Sequence, residues 1–235
     1  MRTIVIGDLH GCYDEAVALL DLLAVTKDDR VIFAGDLVDR GPKNRECVEL
    51  AMRHECILGN HEEKHLEQRK RNDEDLSPDH LRTRRALSND HLDYFAKLPT
   101  FIRLPEHGAV VVHAGVMPDV AIEKQDAYHL LHAQCVHPPE RKSYWPSKAP
   151  RTHTFWTNHW RGPERVIFGH SVLTKPLVTE HAVGIDTGCV FGGPLTAVVL
   201  PGWQIVSVPS KQPPRAKGAD RVGRFRVHGD VFAYS

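Results

Sequence analysis

Gly35-Asp36-Leu37-Val38-Asp39-Arg40-Gly41-Pro42 follows directly on the apolar run Val31–Ala34 and closes in a Gly-Pro turn. A short apolar run bounded by turn residues reads as a buried strand. A strand that stops at a Gly-Asp step leaves its carboxylate at the C-terminal edge of a sheet, where open α/β sheets bind their ligands. Two carboxylates and a guanidinium (Asp36, Asp39 and Arg40) then stand within five residues. One Gly-Asp step marks any turn. This one gains weight because four further apolar runs end in metal-ligating residue types.

Thr3–Gly7 runs into Asp8-Leu9-His10-Gly11. Alternation along an extended segment puts Asp8 and His10 on one side, so one metal ion can take both. Cys56–Gly59 ends at Asn60-His61-Glu62, Ala109–Val112 at His113-Ala114-Gly115, and Val166–Gly169 at His170-Ser171. Asp14–Leu23, with apolar residues at Ala16, Val17, Leu19, Leu20, Leu22 and Leu23, reads as an amphipathic helix; Asn44–Arg53 reads as the returning one. Strand, helix, strand, helix, strand predicts a parallel α/β sheet.

The stretch 63–98 is charged and helical in pattern, with a break at Ser77-Pro78. It is either a solvated helical face or a lid, spanning 64–98, whose basic residues (Arg82, Arg84 and Arg85 among them) meet a polyphosphate. Val120–Cys135 predicts a helix. His137–Pro163, rich in Pro, Trp and His, predicts a long surface excursion of the kind that is usually functional or mobile. Within it Trp156 and Trp160 can stack on a base or simply pack in the core. Short β-type runs at 177–179, 182–186, 195–200 and 204–208 predict antiparallel strands. The polar, basic stretch Pro209–Arg226 predicts a poorly ordered tail. The expected layout is one domain over 1–208 with the lid inserted, followed by a tail over 209–235.

Lys plus Arg equals Asp plus Glu at 30 each, so no net charge argues for nucleic acid or a membrane surface. No apolar run approaches the ~20 residues that span a bilayer. Met1–Gly7 leads straight into a strand, which predicts no signal peptide. Five scattered cysteines without a C-x-x-C pair predict reduced thiols and a cytoplasmic protein. Sixteen histidines make identity alone a poor guide to ligands, so position must decide.

The strand ends offer Asp8, His10, Asp36, Asn60, His113 and His170. This nitrogen and oxygen set without thiolate suits Mn²⁺, Fe or Zn²⁺ in a reactive site rather than a structural zinc. Six donors fit two ions sharing a carboxylate, with Asp36 as the natural bridge. Two ions ~3.5–4 Å apart activate a shared water and hold a phosphoryl oxygen for in-line attack. His61, beside Asn60, reads as the general acid for the leaving oxygen, held by Asp39. Arg40 reads as the phosphate clamp that guanidinium geometry suits.

Gly7-Asp-Leu-His-Gly11, Gly35-Asp-Leu-Val-Asp-Arg-Gly41, Gly59-Asn-His-Glu62, Val112-His-Ala-Gly115 and Phe168-Gly-His-Ser171 resemble, in order, the motif set of calcineurin-like metallophosphoesterases. The set looks most like the branch holding serine/threonine phosphoprotein phosphatases and symmetrical bis(5′-nucleosyl)-tetraphosphatases. Ile185–Thr196 resembles the C-terminal segment of the tetraphosphatases and of bacterial phosphatases of the PrpE type. The resemblance implies a four-layer α+β (α/β) fold with a central β-sandwich flanked by helices. It implies Asp8, His10 and Asp36 around a first metal and Asp36, Asn60, His113 and His170 around a second. Mn²⁺ is the foremost candidate, with Fe, Zn, Co or Ni as alternatives. Arg40, Asn60 and Arg161 are the implied substrate contacts, with Arg151 also considered as a second phosphate-binding arginine. The implied substrate is a small nucleotide, a dinucleoside polyphosphate of the diadenosine tetraphosphate type. The alternative is a phosphoprotein phosphatase with the same centre. Asp39 stands where a typical symmetrical tetraphosphatase has alanine, and Glu62 where it has aspartate; both lean toward the protein phosphatases.

Overall fold

The computed structural model describes residues 1–214, 223–227 and 230–234. The chain opens with β1 (Thr3–Ile6), α1 (Tyr13–Leu22), β2 (Arg30–Phe33), α2 (Asn44–Ala51) and β3 (Glu55–Cys56). A helical segment follows: α3 (Asn60–Glu67), α4 (Pro78–Ala86) and α5 (Asn89–Phe95). Next come β4 (Phe101–Leu104), β5 (Ala109–Val112), α6 (Ala127–His132), β6 (Cys135–His137), β7 (Lys142–Tyr144) and β8 (Thr154–Phe155). The remaining strands are β9 (Arg165–Phe168), β10 (Leu177–Val178), β11 (Ala182–Gly184), β12 (Leu195–Leu200), β13 (Gln204–Val208), β14 (Gly223–Val227) and β15 (Asp230–Tyr234).

Two five-stranded sheets form the centre, in the orders β13-β12-β1-β2-β3 and β10-β11-β9-β5-β4. The strands β1, β2 and β3 are parallel, as are β11, β9 and β5. Val5, Ile32, Val198 and Leu200 of the first sheet share one buried core with Val111, Ile167 and Val183 of the second. The alternate residues Ile4, Ile6, Val31 and Phe33 pack with Ala16 and Leu19 of α1 and Cys47, Val48 and Ala51 of α2. On the far side Val110, Val112, Val166 and Phe168 pack with Leu130 of α6, Val136 of β6, Phe155 and Trp156. Both faces of each sheet are therefore covered. That is why these strands are unbroken apolar runs rather than alternating ones, and the result is a four-layer sandwich flanked by helices.

The break read at Ser77-Pro78 is the start of α4: the Ser77 hydroxyl accepts from the His80 amide, and Pro78 occupies the first turn. The helix expected over Val120–Cys135 is cut to α6, which Asp126 caps by accepting from the Tyr128 amide at 2.8 Å. Cys135 instead begins β6, because its neighbours pair in the small sheet β7-β6-β8. The stretch 137–163 is thus more than a surface excursion. It sends Phe155, Trp156 and Trp160 into the core, where Trp156 is fully buried. Of the expected tail, Lys211 and Gln212 are bonded to the buried Glu15 carboxylate at 2.8 and 3.0 Å. Residues 215–222, 228–229 and 235 lie outside the described residues, while β14 and β15 pair as an antiparallel hairpin. Among the described residues no helix is long and apolar enough to cross a membrane.

Candidate metal centre

The parallel strands β1, β2 and β5, β9 end on one edge of the sandwich, and their loops are stitched to each other. The amides of Leu9 and His10 donate to Asp36 O at 3.1 and 2.8 Å, and Gly11 N to Leu37 O at 2.9 Å. In the second sheet Gly169 N donates to His113 O at 2.8 Å. The two sheets are joined where His170 N donates to the Asp8 carboxylate at 3.1 Å.

Asp36 stands at the middle of these loops. Its carboxylate is buried, with Oδ1 3.3 Å from His113 Nε2 and Oδ2 3.4 Å from His10 Nε2. One oxygen therefore faces each group of donors, a disposition that lets one carboxylate serve both. On the His113 side, Asn60 Oδ1 lies 2.9 Å from His113 Nε2 and 2.8 Å from His170 Nδ1. On the other side, His10, Asp36 and His61 offer ligating atoms within 4.8 Å of one another. Asp8 is turned toward the His170 amide and stands outside that group, but it is buried among the same loops.

The donor chemistry fits metal ions. His10 Nδ1 donates to Val38 O and His113 Nδ1 to Ala34 O, both at 2.8 Å. Each ring is thereby fixed with its Nε2 lone pair toward the cleft. Burial pushes His10, His113 and His170 down, the first reinforced by Arg40. Burial would raise Asp36, but the rings of His113, His61 and His10 around it hold it well below the usual carboxylate range. Asp8 goes the other way: burial, then the carboxylates of Asp186 and Asp36, push it well up. Acidic groups crowded in this way are relieved by a bound cation.

The expected acid is built from the next turn of chain. His61 Nδ1 donates to Asp39 Oδ2 at 2.6 Å, and its Nε2 lies 4.0 Å from Asp36 Oδ2, toward the cleft. Asp39 is fully buried and also accepts from His65 Nε2 at 2.9 Å. Burial alone would raise Asp39, but these two imidazole hydrogen bonds hold it well below the ordinary range. His80 stacks on His65 at 4.4 Å and closes the far side. In the sequence His65 and His80 belong to a charged helical stretch, and nothing in their spacing marks them as partners of Asp39.

Arg40 donates from its guanidinium to His10 Nε2, and its backbone amide donates to Asp79 on α4 at 2.9 Å. The cleft over the centre is lined by Asp36, Arg40, Asn60, Gln134, Trp145, His170 and Val172. Arg82 approaches the same loop, bonding to Asp79 and Gly41 O. Two residues expected near substrate lie elsewhere. Arg161 donates to Trp160 O and Asn158 O and lines a separate groove with Asp119 and Val120. Arg84 is spent on the carbonyls of Arg69 and Arg71. Trp156 and Trp160 are core residues, so neither is open to a base.

Glu62 holds the loop from below. Its buried carboxylate accepts the amides of Asp36 at 2.9 Å, Leu37 at 2.9 Å, Val38 at 3.3 Å and Gly59 at 3.1 Å. The loop needs such a clamp. Five of the nine non-glycine residues with positive φ among the described residues are His10, Asp36, Asp39, Arg40 and His170. Left-handed backbone at such positions costs ~1–3 kcal/mol each and persists only where the surroundings enforce it. Removing the clamp leaves buried amides unpaired at ~1–3 kcal/mol each. Glu62→Ala should therefore lose ~3 kcal/mol or more in urea unfolding and bind divalent metal less tightly, with Glu62→Gln falling between it and the unsubstituted protein. An Ala variant as stable as the parent would show that the loop holds its shape without the clamp.

A family model, calcineurin-like phosphoesterase, matches residues 1–173. A bis(5′-nucleosyl)-tetraphosphatase PrpE [asymmetrical] of Halalkalibacterium halodurans is 30% identical, over 91% of this chain and 96% of its own. That of Bacillus subtilis is also 30% identical, over 89% and 95%. These relatives are named asymmetrical, where the motif resemblance pointed to the symmetrical enzymes alongside the PrpE type. A solved structure described as a "putative diadenosine tetraphosphatase" is 31% identical, with a TM-score of 0.78 over 89% of this chain and 93% of its own. A yeast protein serine/threonine phosphatase, 17% identical with a TM-score of 0.60 over 92% of this chain and 82% of its own, shares the fold. Such a family implies a dinuclear divalent metal centre, which the two donor groups sharing Asp36 fit. The chain belongs to the calcineurin-like phosphoesterase family and is a hydrolase of phosphoesters.

Proposed function

We propose that the chain hydrolyses dinucleoside polyphosphates unequally, releasing a nucleoside monophosphate from diadenosine tetraphosphate. The observation that carries the chemistry is the Asp36 carboxylate, with one oxygen facing His10 and the other His113. The substrate class draws on the tetraphosphatase relatives, which span nearly the whole chain. Asp8, His10 and Asp36 would hold one ion, and Asp36, Asn60, His113 and His170 the other. When bound, the pair supplies Lewis acidity to an attacking water and to the phosphoryl oxygens. The imidazole and oxygen donors suit Mn²⁺ first, with Fe, Zn, Co or Ni also accommodated.

The side chains of this protein do the rest. Arg40, at the rim of the cleft, binds an equatorial phosphoryl oxygen through its guanidinium. Asn60, with Oδ1 between His113 and His170, keeps its amide nitrogen available to the phosphoryl group. His61 gives its proton to the leaving oxygen. Asp39 fixes the ring by accepting from Nδ1, which leaves Nε2 to face the cleft. His65 keeps Asp39 ionised and in place. The free, buried cysteines suit a reducing, cytoplasmic setting. Phosphoprotein hydrolysis is the second reading, favoured by the Asp39–His61 pair, which the motif resemblance associates with the protein phosphatases.

Two measurements test this. With Mn²⁺, diadenosine tetraphosphate should give AMP and ATP on chromatography and should be turned over faster than a phosphoserine peptide. Equal release of ADP would contradict unequal cleavage, and a faster peptide would favour the second reading. His61→Ala should lose ~10²–10⁴-fold in turnover of the dinucleotide while retaining its metal. The loss should be smaller for p-nitrophenyl phosphate, whose leaving group needs no proton. A loss equal for both substrates would assign His61 another role.

A further inference from the structure

The small sheet β7-β6-β8 lies beside the metal cleft and contributes two residues that the chemistry above leaves unused. Gln134 immediately precedes β6, and Trp145 immediately follows β7; both line the cleft together with Asp36, Arg40, Asn60 and His170. Trp145 is 48% exposed, whereas Trp156 and Trp160 from the same stretch are buried. Its indole stands 5.6 Å from the His170 ring, tilted at 42°. Gln134 is the opposite case. It is 2% exposed, and its side-chain Oε1 is buried without a hydrogen-bond partner. A buried acceptor left unpaired costs free energy unless a ligand supplies the donor.

A phosphate bearing only oxygen acceptors cannot satisfy Gln134 Oε1. A nucleoside can, because its ribose carries hydroxyl donors and its base a flat π face. An exposed indole at the mouth of a phosphate site is a stacking platform that any base can use. We propose that Trp145 and Gln134 form the nucleoside subsite of this enzyme: the base stacks on Trp145 and a ribose hydroxyl donates to Gln134 Oε1.

The consequence is positional. A base on Trp145 sits next to His170, and the first phosphate of a nucleotide hangs one ribose away on the 5′ carbon. That phosphate, rather than one in the middle of the chain, then reaches the Asp36 donors and Arg40. Cleavage falls beside one nucleoside, and the remaining phosphates leave with the other. Trp145 is thus a specificity residue that selects which phosphate is attacked. It also sets nucleotides apart from phosphopeptides, which bring no base to the platform.

This inference rests on the nucleotide reading above, and binding of a product separates the two. The metal-loaded protein is titrated with AMP and with ribose 5-phosphate, which differ only in the base. AMP should bind about 10-fold tighter, the affinity a single stacked base confers. Trp145→Ala should abolish that difference and Trp145→Phe should keep most of it. Gln134→Leu should weaken both ligands alike, because both carry the ribose. Equal affinities in the unsubstituted protein, or a preference for AMP that survives Trp145→Ala, would overturn the subsite. An intact AMP preference in a protein that fails to cleave diadenosine tetraphosphate would sink the substrate reading and leave the subsite standing.

Discussion

A buried carboxylate held between two sets of imidazoles is the constraint on which the rest of this structure depends. Asp36 is almost wholly shielded from solvent, and its two oxygens look toward His10 on one side and His113 on the other. An anion in that position is tolerable only if its surroundings are fixed and cationic. The fold supplies the first requirement through Glu62, whose carboxylate takes four loop amides, and through the amides of Leu9 and His10, which donate to Asp36 O. The second requirement is met by Arg40 and by the metal ions that the donor set fits.

The sandwich explains why donors so far apart in sequence meet. Each sheet ends its parallel strands on one edge, and the two sheets stack through Val5, Ile32, Ile167 and Val183. Asp8 and Asp36 come from the first sheet, His113 and His170 from the second. Close approach of the backbones demands small residues at the crossings. A Cβ on Gly59 would collide with the Asp36 amide nitrogen, and one on Gly169 with Asp8 Oδ1. Gly59 thus lets the loops after β2 and β3 approach within the first sheet, and Gly169 keeps the loops of the two sheets within hydrogen-bonding reach.

Much of the centre is legible in the sequence because strand ends are local signals. An apolar run followed by Gly-Asp, Gly-Asn-His or Gly-His reports both the strand and the group at its tip. The pairing of Asp39 with His61 joins two separate motifs and is readable from the acid role given to His61, which needs a carboxylate to hold its ring. What escapes the sequence depends on contacts between distant segments. Glu62 looks like a motif variant and is the clamp of a loop 24 to 26 residues earlier. His65 and His80 are hidden among helical charges, and they meet Asp39 only because α3 and α4 fold back over its loop. The aromatic at the cleft is Trp145 rather than Trp156 or Trp160, since burial depends on how β6, β7 and β8 pair. Arg161 and Arg84 carry the right charge for substrate, but neighbouring carbonyls hold them away from the cleft.

In the proposed centre Asp36 is shared by two ions. Metal stoichiometry tests it most directly, by elemental analysis of protein reconstituted with Mn²⁺ and freed of excess ion. A shared carboxylate predicts about two ions per chain for the parent protein, as in other paired-metal hydrolases, and the loss of both from Asp36→Asn. An Asp36→Asn variant that folds and still holds both ions, or a parent protein saturated by one, would contradict it.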